Sequence, residues 1–76
     1  MEKILVLIML DSDGSSYRVG NDLAKMKQRF QEVKDDGLFD RVVLAEVELD
    51  KEIGFGAYGD FYGGDVIEEF NIEDYD

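Results

Sequence analysis

A small α+β domain is the fold class this sequence predicts, with one amphipathic helix packed on a small β-sheet in the order β-(β)-α-β. Three observations carry that prediction. Residues 4–10 are an unbroken apolar run, the pattern of a short strand buried on both faces. Leu23, Met26, Phe30 and Val33 recur at three- and four-residue spacing, which draws one apolar stripe along a helix. Residues 41–50 alternate apolar and charged side chains over much of their length, the two-residue period of a strand.

The first strand covers residues 3–10 and needs cover on both sides. It does not read as a signal peptide. Its one preceding base, Lys3, stands beside Glu2, and Asp11-Ser12-Asp13-Gly14 follows with no small-residue cleavage pattern. Nor is it long enough to span a bilayer. The stretch Asp11 to Ser16 is a turn by its residue types, and residues 16–19 are an edge strand or part of that turn. Asn21 or Asp22 caps a helix that runs to about residue 36. Lys25, Lys27, Arg29, Glu32 and Lys34 fill its solvated positions, and Gly37 is the stop.

The strand at 40–50 belongs beside the first strand, which is the centre of the sheet. Val43, Ala45, Val47 and Leu49 share one face, expected to lie under the helix. Val42, Leu44, Glu46, Glu48 and Asp50 share the other. Residues 54–64 hold five glycines and four aromatics, a pairing of backbone freedom with large contact area. The segment from Asp65 to Asp76 fits a strand about as well as a short helix. The chain is read as a single domain, 1–76, with a core at 1–50, the glycine/aromatic segment at 51–64 and an acidic segment at 65–76.

Composition narrows the function classes. A chain of 76 residues buries only about 60% of its unfolded surface, and with no cysteine it has no disulfide to compensate. A reducing interior suits it, and a cytoplasmic location is expected. The absence of histidine and cysteine removes the usual zinc sites and the Ser-His and Cys-His nucleophile pairs. At 45% hydrophobic, the chain is too apolar to be a disordered acidic tail. No catalytic signature is present, so the protein is expected not to be an enzyme and to need no metal or cofactor.

Charge is the strongest functional signal. Residues 1–45 carry eight acids and seven bases, whereas residues 46–76 carry eleven acids and one base, Lys51. Self-repulsion on that scale opposes folding and favours a basic partner. The acids are Glu46, Glu48, Asp50, Glu52, Asp60, Asp65, Glu68, Glu69, Glu73, Asp74 and Asp76. Alternate residues of one strand stand about 6.6 Å apart, so Glu46, Glu48 and Asp50 form a ladder that could occupy a groove built for phosphates. The plain alternative is a solvated face kept acidic for solubility.

The partner-binding set read from this pattern is Glu46, Glu48, Asp50, Glu52, Asp60, Glu68, Glu69, Glu73 and Asp74, with Phe55, Tyr58 and Phe61 as anchors. Aromatics amid acids can fill pockets on a basic partner. They can equally cover the second face of the sheet, or be covered by a second copy in a homodimer. Other signals are weaker. Asp11 and Asp13 make a D-x-D at a strand end, but a polar turn explains them, and Ser16 and Asp22 stand where an EF-hand loop needs glycine and glutamate. Glycines 54, 56 and 59 precede no helix and no base, so they do not suit phosphate binding. The basic helix positions read as a solvated face, and net charge opposes direct nucleic-acid binding.

In size, charge and layout the chain resembles small phage-encoded inhibitors that mimic nucleic acids, of the anti-restriction and anti-CRISPR kind. The features that carry the resemblance are the apolar strand and turn, the helix opening at Asn21-Asp22-Leu23, the strand ending Glu46-Val47-Glu48-Leu49-Asp50, and the acidic half. It implies a non-enzymatic inhibitor that binds the basic nucleic-acid site of a host defence nuclease in an infected bacterium. The alternative function is a small homo-oligomeric assembly or adaptor protein that uses the glycine/aromatic segment as its interface.

Overall fold

The structure is a computed structural model that describes residues 3–72. They form β1 (Lys3–Asp11), β2 (Gly14–Gly20), α1 (Leu23–Asp36), β3 (Arg41–Glu48), β4 (Gly54–Phe55), β5 (Phe61–Tyr62) and β6 (Gly64–Asn71). Four strands make one antiparallel sheet in the order β2-β1-β3-β6, and β4 and β5 pair separately. This is the α+β arrangement expected from the sequence, one helix on a small sheet, and the sheet is antiparallel. Because β2 and β3 both run antiparallel to β1, they are parallel to each other, and α1 carries the chain across β1 between them.

β1 is apolar throughout because both of its faces are covered. Leu5, Leu7 and Met9 pack with Met26, Phe30 and Val33 of α1, while Val6 and Ile8 pack with Val43, Ala45 and Val47 on the other side. The neighbours Leu7 and Ile8 are both almost wholly buried although their side chains point in opposite directions. At the β1–β2 turn, Asp11 Oδ1 accepts the Asp13 N–H at 2.8 Å. The D-x-D pair therefore works as an Asx turn. β2 is longer than the expected 16–19 piece, since glycine and serine at an edge pair through their backbones without needing cover.

The caps of α1 follow their residue types. Asp22 Oδ1 accepts the Lys25 N–H at 3.2 Å, and Gly37 ends the helix at φ 67° with its N–H on the Lys34 carbonyl. Met26, Phe30 and Val33 are buried. Leu23, placed on the same stripe by its spacing, is exposed in the first turn.

β3 corrects the expected choice of faces. The helix lies over Val42 and Leu44, not over Val43, Ala45 and Val47. Both faces of β3 begin apolar, so alternation alone does not decide between them. The odd-numbered face is covered instead by Ile53, Phe55 and Phe61. β3 also ends at Glu48, short of the expected residue 50, and Asp50 takes a positive φ of 66° in the following turn.

The acidic segment forms a strand as far as Asn71. β6 pairs with β3 from Arg41↔Asn71 to Val47↔Gly64, with a bulge opposite Leu44/Ala45 that leaves Ile67 as the extra residue. Ile67 and Phe70 pack against the helix-side core. Tight backbone contact sets the entry to β6. Gly63 has φ 95°, and a Cβ there would stand 2.1 Å from the Glu52 carbonyl oxygen, so no side chain fits.

Candidate interaction surface

Arg41 organises the glycine/aromatic segment. It opens β3 opposite Leu10, on the face away from the helix. Its guanidinium lies 4.7 Å from the centroid of the Phe55 ring, Nη1 donates to the Gly59 carbonyl at 2.5 Å, and Nε donates to Glu69 Oε2 at 2.6 Å. Phe55 and Phe61 meet edge to face, with centroids 5.7 Å apart. The tip closes through Gly56 N–H to the Asp60 carbonyl and Gly59 N–H to the Gly56 carbonyl. One arginine thus ties a miniature hairpin of two-residue strands to both β3 and β6.

That arrangement reassigns two of the three expected anchors. Phe55 and Phe61 are half-buried and rest on Val6, Ile8, Val43, Ala45 and Val47. They cover the second face of the sheet, the alternative role for aromatics in this segment. Tyr58 sits at the tip with 95% of its surface exposed, and Tyr62 is 50% exposed. Of the four aromatics, these two retain broad access to a partner.

The carboxylates divide by strand parity. Glu46 stands opposite Leu5 and Glu48 opposite Lys3, on the helix side of the sheet. Glu46 pairs with Lys3 at 3.4 Å and Glu48 with Lys51 at 3.3 Å. Two members of the expected ladder are therefore partly neutralised, and Asp50, lying in the turn, is not part of it. Glu68 faces Leu44 on the helix side and Glu69 faces Val43 on the other. These consecutive glutamates diverge, and Glu69 is engaged by Arg41. Glu73 and Asp74 lie outside the described residues.

Asp65 belongs to the acidic segment but not to the expected binding residues. It lies directly opposite Glu46, where side-chain Cβ atoms stand about 4.5–5.5 Å apart. Lys3, Glu46, Glu48, Lys51 and Asp65 line a groove of about 170 Å³ at this corner. Among the described residues, the carboxylates of Asp50, Glu52, Asp60, Asp65 and Glu68 make no ion pair. All five are exposed. The surface is thus a corner where β3 and β6 bring Glu46, Glu48, Asp65 and Glu68 to one side of the sheet. Strand pairing with its bulge was the missing signal: the extra residue Ile67 shifts the register so that Asp65 opposes Glu46, where an unbroken ladder would set it opposite Val47.

No three histidine, cysteine or acidic side chains among the described residues converge to hold a metal ion, and no helix among them is long and apolar enough to cross a membrane. No known protein family, characterised protein or solved structure matches this chain.

Proposed function

We propose that the protein is a non-enzymatic binding module whose acidic β3–β6 corner docks on the basic, nucleic-acid-binding surface of another protein. One observation carries the reading. Glu46 and Asp65 stand directly opposite each other across two paired strands. Like charges so placed destabilise a sheet; among the described residues Lys3 pairs with Glu46, while Lys51, at the same groove, pairs with Glu48 and no base pairs with Asp65. Carboxylates held against their mutual repulsion form a preset array of acceptors. Such an array attracts the Lys and Arg groups that otherwise neutralise phosphates. The exposed Tyr58 and Tyr62 add contact area on the hairpin. The resemblance to phage-encoded nucleic-acid mimics supports a host defence nuclease or effector as the partner, with the chain acting as its inhibitor.

Affinity capture from bacterial lysate at low and high salt, followed by competition with duplex DNA, tests this. The expected result is a basic protein that is held at low salt, released at high salt and displaced by the DNA. The double variant Asp65→Lys/Glu68→Lys should capture none of it. Capture that ignores both salt and the charge reversal counts against the reading.

A further inference from the structure

The two edges of the sheet differ in kind. β6 carries Asp65, Glu68 and Glu69 and a bulge, the devices by which a free edge is kept from pairing. β2 carries no carboxylate and no bulge. Its seven residues, Gly14 to Gly20, include one charge, Arg18, with no bulge and no proline. Among the described residues, pairing reaches it on one side only, from β1. Tyr17 and Val19 project from it to the same side as Ile8 and Val6, and they are 60% and 62% exposed. The β4–β5 hairpin packs over the β1–β3 part of that face and leaves these two side chains open.

We infer that β2 is a self-pairing edge, joining a second copy of this chain in an antiparallel two-fold dimer with one continuous eight-stranded sheet. Full overlap of the seven residues fixes the register: Tyr17 opposite Tyr17 of the second copy, Ser16 opposite Arg18, and Ser15 opposite Val19. No two like charges face each other directly. A two-fold axis normal to the sheet keeps both helices on one side and both hairpins on the other, so the exposed Tyr17 rings meet across the axis. Aromatic pairs so placed stabilise strand pairing.

Electrostatics favours this edge over β6 for self-association. In the dimer the two β6 strands are seven strand spacings apart, about 34 Å. Screening acts over about 8 Å at physiological salt, so the β6 carboxylates do little to oppose the contact. Pairing through β6 would set carboxylates against carboxylates. An interface of one strand and two side chains is at the small end of the range, so the dimer is reversible. It leaves the acidic corner open on both copies.

Sedimentation velocity across a concentration series tests the inference. Wild-type protein should shift from monomer to dimer as concentration rises. Tyr17→Lys/Val19→Lys should weaken the association at least about tenfold, which is about 1.4 kcal/mol, with an unchanged circular dichroism spectrum, and Tyr58→Ala should not weaken it. The chain has no cysteine, so a single Tyr17→Cys variant should cross-link on mild oxidation, its partner lying within disulfide reach, while Tyr58→Cys should not. A wild-type monomer at millimolar concentration overturns the inference and leaves β2 open to an extended segment of a different protein. A dimer indifferent to the lysines, with no cross-link in the Tyr17→Cys variant, overturns it as well.

Discussion

Arg41 stacks on Phe55 and, in the same pose, ties that ring to Glu69 on the far strand of the sheet. The contact joins three segments distant in sequence: the start of β3, the hairpin and β6. Its removal should therefore loosen the hairpin before the sheet. Arg41→Ala is expected to cost about 2 kcal/mol, from a stacked cation and hydrogen bonds to a charged group. Arg41→Lys should recover less than half, because an ammonium lacks the planar fork. Urea unfolding gives the magnitude. Amide exchange should speed up at Gly56 and Gly59 in Arg41→Ala while β1 stays protected; uniform acceleration would argue against a local clamp.

Phe61→Ala and Tyr58→Ala separate the core role from the contact role of the aromatics. Phe61 covers the face formed by Val43 and Ala45 but is only half-buried, so truncation should cost roughly 2–3 kcal/mol, below the about 3–5 kcal/mol of a fully buried phenylalanine. Tyr58 is almost fully exposed, and its loss should change stability by less than about 0.5 kcal/mol. Thermal melts compare the two directly. Equal losses would mean that the hairpin tip packs on something in solution.

Gly63→Ala should be among the most damaging single changes. Its φ is positive, and the new Cβ would meet the Glu52 carbonyl at 2.1 Å. The connection from β5 into β6 would have to move, at roughly 2 kcal/mol or more. A melting temperature equal to that of wild type would show that Gly63 adopts another conformation in solution.

Charge reversal at the acidic corner should drive stability and binding in opposite directions. Asp65→Lys places a cation opposite Glu46 and should stabilise the fold by about 0.2–1 kcal/mol while abolishing capture of the basic partner. Sodium chloride should act in parallel. Between about 0.01 M and 0.15 M the screening length falls from about 30 Å to 8 Å, so the wild-type melting temperature should rise as partner binding weakens. A melting temperature that falls with salt would indicate that the ion pairs at Glu46, Glu48 and Glu69 outweigh the repulsion.

The elements with strong local signals were legible from sequence. The apolar run from Ile4 to Leu10, the Gly37 stop and the spacing of Met26, Phe30 and Val33 each had one physical solution, and the N-cap was narrowed to Asn21 or Asp22, of which Asp22 serves. The face of β3 did not, because Val42-Val43-Leu44-Ala45 satisfies either parity. What decides it is the hairpin, whose Phe55 and Phe61 take the odd-numbered face, and that depends on a long-range tie through Arg41. The acid ladder failed for a similar reason. Spacing along one strand set out Glu46, Glu48 and Asp50, but the local neutralisers Lys3 and Lys51 and the opposing Asp65 are visible only once the strands are paired.

Strand order also has a consequence for synthesis. Everything through β3 is made before β6, so a chain that pairs β1, β2 and β3 before β6 docks has β3 as its outer edge. That edge presents Val42, Val43, Leu44 and Ala45, an aggregation-prone template while it stands unpaired. The segment that emerges next to close it is rich in aspartate and glutamate. Carboxylates on the closing strand discourage two unfinished chains from pairing through it and leave docking on β3 of the same chain as the favoured outcome. The negative charge then guards the fold during its assembly, before any partner is met.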